Sequence, residues 1–244
     1  MPRLALISDQ HGNDVAFAAA VADIERVGVD RIVCLGDVAQ GGPQPAETLD
    51  RLRALGCRTV LGNSDAFLLD PNSTEEPITS RQLEVRAWTL SRLDSSHLEL
   101  LRSFEPTVEV ELDSHRVLCF HGSPRSYDEI LIPEHDGASL DAFRGTGADL
   151  LAGGHTHKQW TRTIDGVPFL NPGSVCLAYD HHQPRDDVRL SPCAEYAIVF
   201  ADELGLGVEF RRVPYAVADV VAAVEASGRP LPEDWTERWD SRHA

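Results

Sequence analysis

Seven side chains that could bind a divalent metal ion each follow an apolar segment of the chain, usually beside a glycine. They are Asp9, His11, Asp37, Asn63, His121, His155 and His157. The set combines carboxylate and amide oxygens with imidazole nitrogens, and it is too large for one tetrahedral zinc ion. It suits two divalent ions that share one carboxylate. Such a pair, roughly 3.5–4 Å apart, is the arrangement used in two-metal phosphoryl transfer.

The two histidines in "GHTH" (154–157) carry the most information, because only Thr156 separates them. If this segment continues the preceding strand as extended chain, side chains at positions i and i+2 point to the same side. His155 and His157 would then face one pocket, and each could bind a different ion of the pair. The alternative is two ordinary surface histidines in a polar turn.

Each motif taken alone also has an ordinary structural explanation. A Gly-Asp or Gly-Asn pair after a strand is usually a turn, and a single histidine there is usually solvated. The joint occurrence after successive strands favours a metal site. The other histidines, at 97, 115, 135, 181, 182 and 243, have no such placement, and we assign them structural roles.

Composition restricts the class of protein. The 244 residues are 42% hydrophobic and 25% charged, which predicts one globular domain over 1–244. The formal net charge of −17 argues against bulk binding to nucleic acid or to an anionic membrane. A small anionic substrate would need a local positive centre, which metal ions supply.

The cysteines and the apolar runs indicate the compartment. Five cysteines with no Cys-x-x-Cys spacing predict reduced thiols in a cytoplasmic protein. The apolar run near the N-terminus is too short for a signal peptide, and no run approaches the length of a membrane span.

The first third of the chain alternates strands and helices. Apolar runs at 3–8, 31–36 and 58–62 predict strands, and helical spacing at 13–27 and 45–55 predicts the helices between them, with Asn13 as an N-cap. Continuous apolar strands in this order indicate a parallel sheet with both faces covered. The carboxyl ends of such strands are where α/β folds collect their sites.

The rest of the chain has β-character interrupted by helices. An amphipathic helical insert over about 66–104 predicts a cap or lid. The remaining predictions are hairpins at 107–120 and 159–170, a short helix at 139–147, strands at 148–154, 194–201 and 206–213, and a helix at 217–227. Two sheets packed face to face, with helices outside both, fit this count.

Taken together, the motifs resemble those of the calcineurin-like metallophosphoesterase superfamily. They are "DQHGN" (9–13), "GD" (36–37), "GNSD" (62–65), "HG" (121–122) and "GHTH" (154–157). "NPGS" (171–174) with a following strand pair is similar to the small prokaryotic phosphodiesterase branch. The resemblance implies an α/β domain in the form of a four-layer α/β/β/α sandwich of two mixed sheets.

The resemblance also implies a role for each ligand. Asp9, His11 and His157 would hold one ion. Asn63, His121 and His155 would hold the other. Asp37 would bridge the two ions, and a hydroxide between them would attack phosphorus in line with the leaving group. The ligands accept Mn, Fe, Zn, Ni or Co, so the identity of the two divalent ions stays open.

One position departs from the family pattern. Many members have G-N-H-(D/E), whose histidine protonates the leaving oxygen or holds the phosphate, whereas this chain has Ser64. Asp65 is retained, and the resemblance implies catalytic roles for Asp37, Asn63 and Asp65. Without an imidazole acid, activated phosphodiesters, cyclic nucleotides and phosphoanhydrides become better substrates than alkyl monoesters.

The substrate expected from the resemblance is a small phosphoester or nucleotide. Asn13 and Arg125 are the candidate substrate contacts, and the insert at 66–104 with the loop at 178–193 is expected to border the site. An alternative function is a non-catalytic, metal-binding interaction scaffold on the same fold, as in a retromer subunit. A redox di-metal protein is a weaker alternative, because such sites are usually carboxylate-rich and built in helical bundles.

Overall fold

In the part of the chain described by this computed structural model, residues 1–74, 77–179, 183 and 188–239, ten strands form two mixed sheets. The strands are β1 (Arg3–Ile7), β2 (Arg31–Cys34), β3 (Arg58–Thr59), β4 (Val108–Leu112), β5 (His115–Cys119), β6 (Leu150–Ala152), β7 (Gln159–Ile164), β8 (Val167–Pro172), β9 (Cys193–Asp202) and β10 (Gly205–Pro214). The first sheet has the order β10-β9-β1-β2-β3, and the second has the order β4-β5-β6-β8-β7.

Each sheet has a parallel centre. β1, β2 and β3 run parallel to one another, and β9 pairs antiparallel with the other side of β1, with β10 at the edge beyond it. In the second sheet β5, β6 and β8 run parallel, flanked by antiparallel β4 and β7. The parallel sheet predicted from the first third of the chain is therefore confirmed. Parallel neighbours place the carboxyl ends of their strands at one edge, where the polar motifs begin.

The helices are α1 (Asp14–Val27), α2 (Pro45–Leu55), α3 (Asn63–Leu69), α4 (Ser80–Ser91), α5 (Ser95–Arg102), α6 (Val217–Ser227) and α7 (Glu233–Thr236). Alternation along β1 explains why its last four residues are all apolar. Leu4 and Leu6 pack into the core between the two sheets, whereas Ala5 and Ile7 pack against the helices on the outer face. All four side chains are fully buried. The two faces of β1 therefore hold the sheet–sheet layer and the helix–sheet layer together.

The outer face of the second sheet carries a 3₁₀ helix, Gly137–Phe143, in place of the short α-helix predicted at 139–147. Leu140 and Phe143 from this segment join Phe120 and Phe169 in a buried cluster. Gly145 and Gly147 follow with positive φ angles, which end helical geometry early. The α/β/β/α layering is present, with a thinner outer layer on this side.

Only part of the predicted helical insert lies apart from the main body of the protein. α5 packs against α2 and α3, and Leu101 of α5 is fully buried in the main helix–sheet core. α4 and the segment preceding it lie further out. The role of the insert as a cap stays a prediction.

The segment after α6 packs back onto the body of the protein. Trp235 and Trp239 are buried in a cluster with Val220 and Val224 of α6. Arg229 and Trp235 also donate hydrogen bonds from Nε and Nε1 to the carbonyl of Gly41. The segment after α6 is therefore anchored on the loop that follows β2.

The remaining predictions on the whole chain have mixed outcomes. All five cysteines are free, as expected. Within the described ranges, no helix has the length and apolar character needed to cross a membrane. The predicted loop 178–193 and the histidines at 181, 182 and 243 fall partly or wholly outside the described residues. The cytoplasmic location stays a prediction.

Candidate metal centre

The polar motifs meet where the carboxyl ends of the two sheets lie side by side. Backbone hydrogen bonds extend the pairing past the strands and fix the turns against each other. Asp9 N donates to Gly36 O at 2.9 Å, and His11 N donates to Asp37 O at 2.9 Å. In the second sheet Gly154 N donates to His121 O at 2.8 Å. Backbone pairing that continues beyond the strand ends thus fixes the positions of the candidate ligands.

One cluster consists of Asp9, His11 and His157, which each offer a ligand atom within 4.8 Å of the others. Nε2 of His157 is 3.3 Å from Oδ1 of Asp9 and 3.2 Å from Nε2 of His11. Two imidazole nitrogens and a carboxylate oxygen thus point at a common centre. This grouping is the one that the resemblance implied for the first ion.

A second cluster consists of Asp37, His121 and His155, whose ligand atoms also lie within 4.8 Å of one another. Nε2 of His121 is 3.5 Å from Oδ2 of Asp37. The amide oxygen of Asn63 joins this cluster, because it lies 3.0 Å from Nε2 of His121. The four side chains offer a mixed oxygen and nitrogen set on the other side of the same cleft.

Asp37 lies between the two clusters. Its Oδ2 is 3.6 Å from Nε2 of His11 in the first cluster and 3.5 Å from Nε2 of His121 in the second. The carboxylate is 2% exposed, so it is shielded from solvent on its other sides. A single carboxylate within reach of both clusters is the geometry that a bridging ligand requires.

Backbone carbonyls orient two of the imidazoles. Nδ1 of His11 lies 3.0 Å from Gln40 O, and Nδ1 of His121 lies 2.7 Å from Leu35 O. A carbonyl oxygen only accepts, so each ring carries its proton on Nδ1 and leaves Nε2 for a metal. Metal-binding histidines usually have such a partner, which fixes the ring orientation.

The buried carboxylate of Asp9 tests whether a cation fits here. Asp9 is fully buried, and neither of its oxygens accepts a hydrogen bond from the described residues. Burying a carboxylate without such partners is costly. A divalent cation held with His11 and His157 would compensate its charge. The residues present therefore fit a metal site.

The pKa values of the second cluster show a strong charge coupling. Burial lowers the pKa of His121, but the Asp37 carboxylate outweighs burial and raises it to about 10. Burial raises the pKa of Asp37, whereas the neighbouring imidazoles hold it well below its usual range. Burial and repulsion from His121 lower the pKa of His155 to about 4. His155 is therefore neutral near pH 7, whereas a cation bound in this cluster would have to displace the Nε2 proton that Asp37 stabilises on His121.

The backbone at the clusters adopts an uncommon conformation. The candidate ligands with left-handed φ angles are Asp9 (58°), His11 (45°), Asp37 (58°), His155 (69°) and His157 (55°). Non-glycine residues rarely have positive φ, and such strain concentrates at functional sites.

These φ angles also correct one inference from the sequence. β6 ends at Ala152, and Thr156 N donates to Gly154 O, so "GHTH" is a tight turn and not extended chain. His155 and His157 reach different clusters because the backbone turns sharply between them. The predicted division between clusters agrees with the geometry, but the reason given for it was wrong.

The "NPGS" motif holds this turn, a role that the sequence did not reveal. Nδ2 of Asn171 donates to Gly154 O at 2.5 Å and to Oγ1 of Thr156 at 3.2 Å. Oγ of Ser174 donates to Asp9 O at 2.9 Å. The motif was part of the resemblance, but its hydrogen-bond partners lie too far away in the sequence to be predicted from spacing.

Asp65 supports the centre from behind the ligands. Its buried carboxylate accepts hydrogen bonds from the backbone N–H groups of Asp37 (2.7 Å), Val38 (2.9 Å) and Gly62 (3.2 Å). Burial, with repulsion from Asp37, raises the pKa of Asp65 to about 7. With both oxygens engaged by backbone, Asp65 is placed to position Asp37, and the direct catalytic role expected for it stays a prediction.

Ser64 holds the same carboxylate from the other side. Its backbone N–H donates to Oδ1 of Asp37 and its hydroxyl donates to Oδ2, both at 2.8 Å. Gly62 precedes this turn, and a side chain there would collide with the Asp37 carboxylate. Ser64, at the position where the resemblance leads us to expect a histidine, therefore orients Asp37.

The two candidate substrate contacts have other partners. Oδ1 of Asn13 accepts a hydrogen bond from Ala16 N at 3.1 Å, which confirms the predicted N-cap of α1. Arg125 is exposed, and its guanidinium pairs with Glu129. Neither contact with substrate is tested by this geometry, and both stay predictions.

Comparison with known proteins points in the same direction. The chain matches the domain described as calcineurin-like phosphoesterase superfamily over residues 3–190. An uncharacterized protein of Methanocaldococcus jannaschii is 29% identical over 243 residues, which cover 95% of this chain and 94% of that protein. The crystal structure of a metallophosphoesterase from Sphaerobacter thermophilus gives a TM-score of 0.74 at 28% identity. A hypothetical protein from Pyrococcus horikoshii OT3 gives 0.80 at 17% identity, and both structures match over 97% of each chain.

Proposed function

This chain belongs to the calcineurin-like phosphoesterase superfamily, and we propose that it hydrolyses phosphodiester or phosphoanhydride bonds with the help of two divalent metal ions. The observation that carries this proposal is the pair of ligand clusters that face each other across Asp37. The similarity to a metallophosphoesterase of Sphaerobacter thermophilus supports it.

In this proposal the chain supplies the ligands and their orientation. Asp9, His11 and His157 would hold one ion. Asn63, His121 and His155 would hold the other, and Asp37 would be shared. When bound, the ions would supply Lewis acidity, which lowers the pKa of water and offsets charge on the phosphoryl oxygens.

The surrounding residues would keep this arrangement rigid. The carbonyls of Gln40 and Leu35 hold the imidazoles of His11 and His121 with Nε2 directed at the cleft. Ser64 and Asp65 fix the position of Asp37 from its side chain and its backbone. Preorganised charge of this kind acts on the transition state without reorganisation during the reaction.

The absence of an imidazole at position 64 bears on substrate choice. The hydroxyl of Ser64 is engaged with Asp37 and has no tendency to ionise, so it is a poor proton donor to a leaving oxygen. General acid catalysis contributes about 100- to 10,000-fold. We therefore propose that substrates with good leaving groups, such as aryl diesters and nucleoside polyphosphates, are preferred over alkyl monoesters.

The test is reconstitution of the chelated protein with Mn²⁺, Ni²⁺, Zn²⁺, Fe²⁺ or Co²⁺, followed by assays on a panel of phosphoesters. We expect hydrolysis only with metal, about two ions per chain, and a higher kcat/KM for bis(p-nitrophenyl) phosphate than for glycerol phosphate. A ranking led by glycerol phosphate would contradict the substrate preference. Tight metal binding without turnover of any substrate would favour the scaffold function instead.

A further inference from the structure

One edge of the first sheet is a long strand with a neighbour on one side only. β10 (Gly205–Pro214) pairs with β9 along its whole length, and in the part of the chain that the structure describes no other strand pairs with it. None of its residues is buried, whereas most residues of β9 are. Among the described strands that lie at sheet edges, β10 is the longest.

The direction of the backbone groups in β10 follows from the pairing around β9. Ala201 N donates to Pro2 O on the side of β1, and Tyr215 N, just beyond β10, donates to Pro192 O on the side of β9. Because the direction alternates from one residue to the next, odd-numbered residues of β10 pair with β9. The N–H and C=O groups of the even-numbered residues therefore point out of the sheet. These residues are Leu206, Val208, Phe210 and Arg212.

The outward backbone groups are unpaired, and the edge has none of the usual devices that block pairing. Outside the β9–β10 ladder, no hydrogen bond among the described residues reaches the backbone of these four residues. Edge strands are usually protected by lysine, by proline or by a bulge. β10 has no lysine, its register with β9 has no bulge, and its proline, Pro214, is the last residue. Such an edge is suited to pairing with another strand.

The charges of β10 are complementary to a second copy of itself. Two antiparallel registers with two-fold symmetry pair nine of the ten residues, either 205–213 centred on Glu209 or 206–214 centred on Phe210. The first register places Glu209 opposite the same carboxylate of the second copy. The second places Glu209 opposite Arg211 of the second copy, and symmetry repeats this pair. Like charges in facing positions destabilise a strand pair, whereas opposite charges stabilise it.

The register centred on Phe210 also covers an exposed aromatic ring. Phe210 is 37% exposed, on the same face of β10 as Val208, which packs against the core between the sheets. Across the two-fold axis the ring would face its own copy, and aromatic pairs in facing positions stabilise a sheet. In this register even-numbered residues face one another, so their outward N–H and C=O groups become paired.

We propose that this protein forms a two-fold symmetric dimer in which the β10 strands of two copies pair antiparallel about Phe210. The two sheets that contain β10 then become one continuous sheet. Because the pairing uses the open β10 edge of both copies, association stops at the dimer. The antiparallel arrangement directs the two candidate metal centres to opposite ends of the shared sheet. The proposal does not depend on the phosphoesterase function.

The first test is sedimentation equilibrium over a series of protein concentrations. We expect the mass of the wild type to rise from 26.8 kDa towards twice that value. Glu209→Arg places like charges opposite each other at two symmetric positions and should raise the dissociation constant at least about tenfold. Glu203→Arg is the matched control, because it makes the same charge change in the exposed turn before β10. A wild type that stays monomeric at every concentration would overturn the proposal.

The second test identifies the register by cross-linking single cysteine variants under mild oxidation. In the proposed register the Cα atoms of the two copies of residue 210 lie about 5.5 Å apart, within reach of a disulfide. The two copies of residue 209 are offset by roughly 7 Å along the strands, which adds to the spacing between them and is too far for a disulfide.

Phe210→Cys should therefore give a cross-linked dimer that reducing agent dissociates. Glu209→Cys should give no more cross-linking than the wild type, whose five native cysteines set the background. Efficient cross-linking of Glu209→Cys without that of Phe210→Cys would contradict the register. Background levels in both variants would overturn the pairing of β10 with its copy.

Discussion

Five of the candidate ligands have left-handed φ angles, so the backbone of the candidate centre is strained. Each such residue costs about 1–3 kcal/mol, and the cost persists only where the surroundings impose it. At Asp9 and at the turn that carries His155 and His157, the surroundings are the side chains of Ser174 and Asn171. The candidate ligand positions are thus held by residues that lie outside both clusters.

Replacing the shared carboxylate should disable the whole centre. We expect Asp37→Asn to abolish activity and lower the metal content, because two cations would face each other with less charge to compensate them. The measurement is elemental analysis together with steady-state kinetics. Asp113→Asn is the matched control, since Asp113 also has a left-handed φ angle but lies in the exposed β4–β5 turn. Full activity with two ions per chain in Asp37→Asn would disprove the bridge.

Replacing each of the two histidines of the "GHTH" turn should weaken the binding of a different ion. His157→Ala should weaken the ion held with Asp9 and His11, and His155→Ala should weaken the ion held with His121. We expect each variant to retain roughly one ion and to lose most turnover, because in-line attack needs the pair. The same elemental analysis and kinetics apply, with His115→Ala as a control outside both clusters. Two ions per chain and near-normal rates in both variants would mean that these histidines belong to an ordinary polar turn and bind no metal.

At the scale of elements, a buried carboxyl on β9 should make stability depend on pH. Glu195 is 4% exposed, and burial raises its pKa from 4.5 to about 7 in spite of Arg212 at 3.0 Å. A carboxyl whose pKa is raised on folding stabilises the fold fully below pH 4.5, and this contribution is lost as the pH rises through about 7.

Glu195→Gln should therefore remove the loss of stability that occurs as the pH rises through about 7. Between pH 5 and pH 8, we expect the free energy of unfolding to fall by roughly 2–3 kcal/mol less in the variant than in the wild type. Urea denaturation at the two pH values measures this difference. Glu203→Gln, in the exposed turn after β9, is the control and should behave like the wild type. An unchanged pH dependence in Glu195→Gln would mean that Glu195 does not titrate in this range.

Local periodicity predicted an element well where the residues that begin and end it lie within the element or next to it. The helices at 45–55 and 217–227 have the predicted bounds, because their N- and C-terminal signals are local. β3 is shorter than predicted, and the chain leaves it early to start α3 at Asn63. The candidate ligands also lie close together as expected, because each of them follows an apolar strand.

What could not be predicted depends on contacts between distant residues. Asp65 receives N–H groups from the turn after β2, and Asn171 holds the turn after β6. Neither partner follows from spacing, because hydrogen bonds across strand ends are set by the packed sheets. For the same reason the left-handed turn at His155 was mistaken for extended chain.

At the scale of the molecule, each ligand cluster joins the two sheets. Asp9 and His11 follow a strand of the first sheet, whereas His157 follows a strand of the second. Asp37 and His121 are divided in the same way. Ions bound in both clusters would therefore connect the sheets at one end, in a protein whose formal net charge of −17 favours cations.

Removing the metal should then lower the stability of the entire fold. A ligand at 100 times its dissociation constant stabilises the native state by about 2.7 kcal/mol, which is roughly 5–10 °C in Tm for a chain of this size. We expect a shift of this order per site when Mn²⁺ is added to chelated protein, measured by calorimetry. The Asp37→Asn variant should show a smaller shift. An identical Tm with and without metal would argue against ions that link the sheets.

The anchor formed by Arg229 and Trp235 on Gly41 has a consequence for the order of events at the ribosome. Every candidate ligand of both clusters is translated before these two residues emerge, and their hydrogen bonds to Gly41 O add a late contact to the loop that carries Gln40 beside His11. A nascent chain would thus carry a complete set of candidate ligands before this loop has all of its contacts. We therefore expect any metal site here to reach its full affinity only after residue 235 has joined the fold.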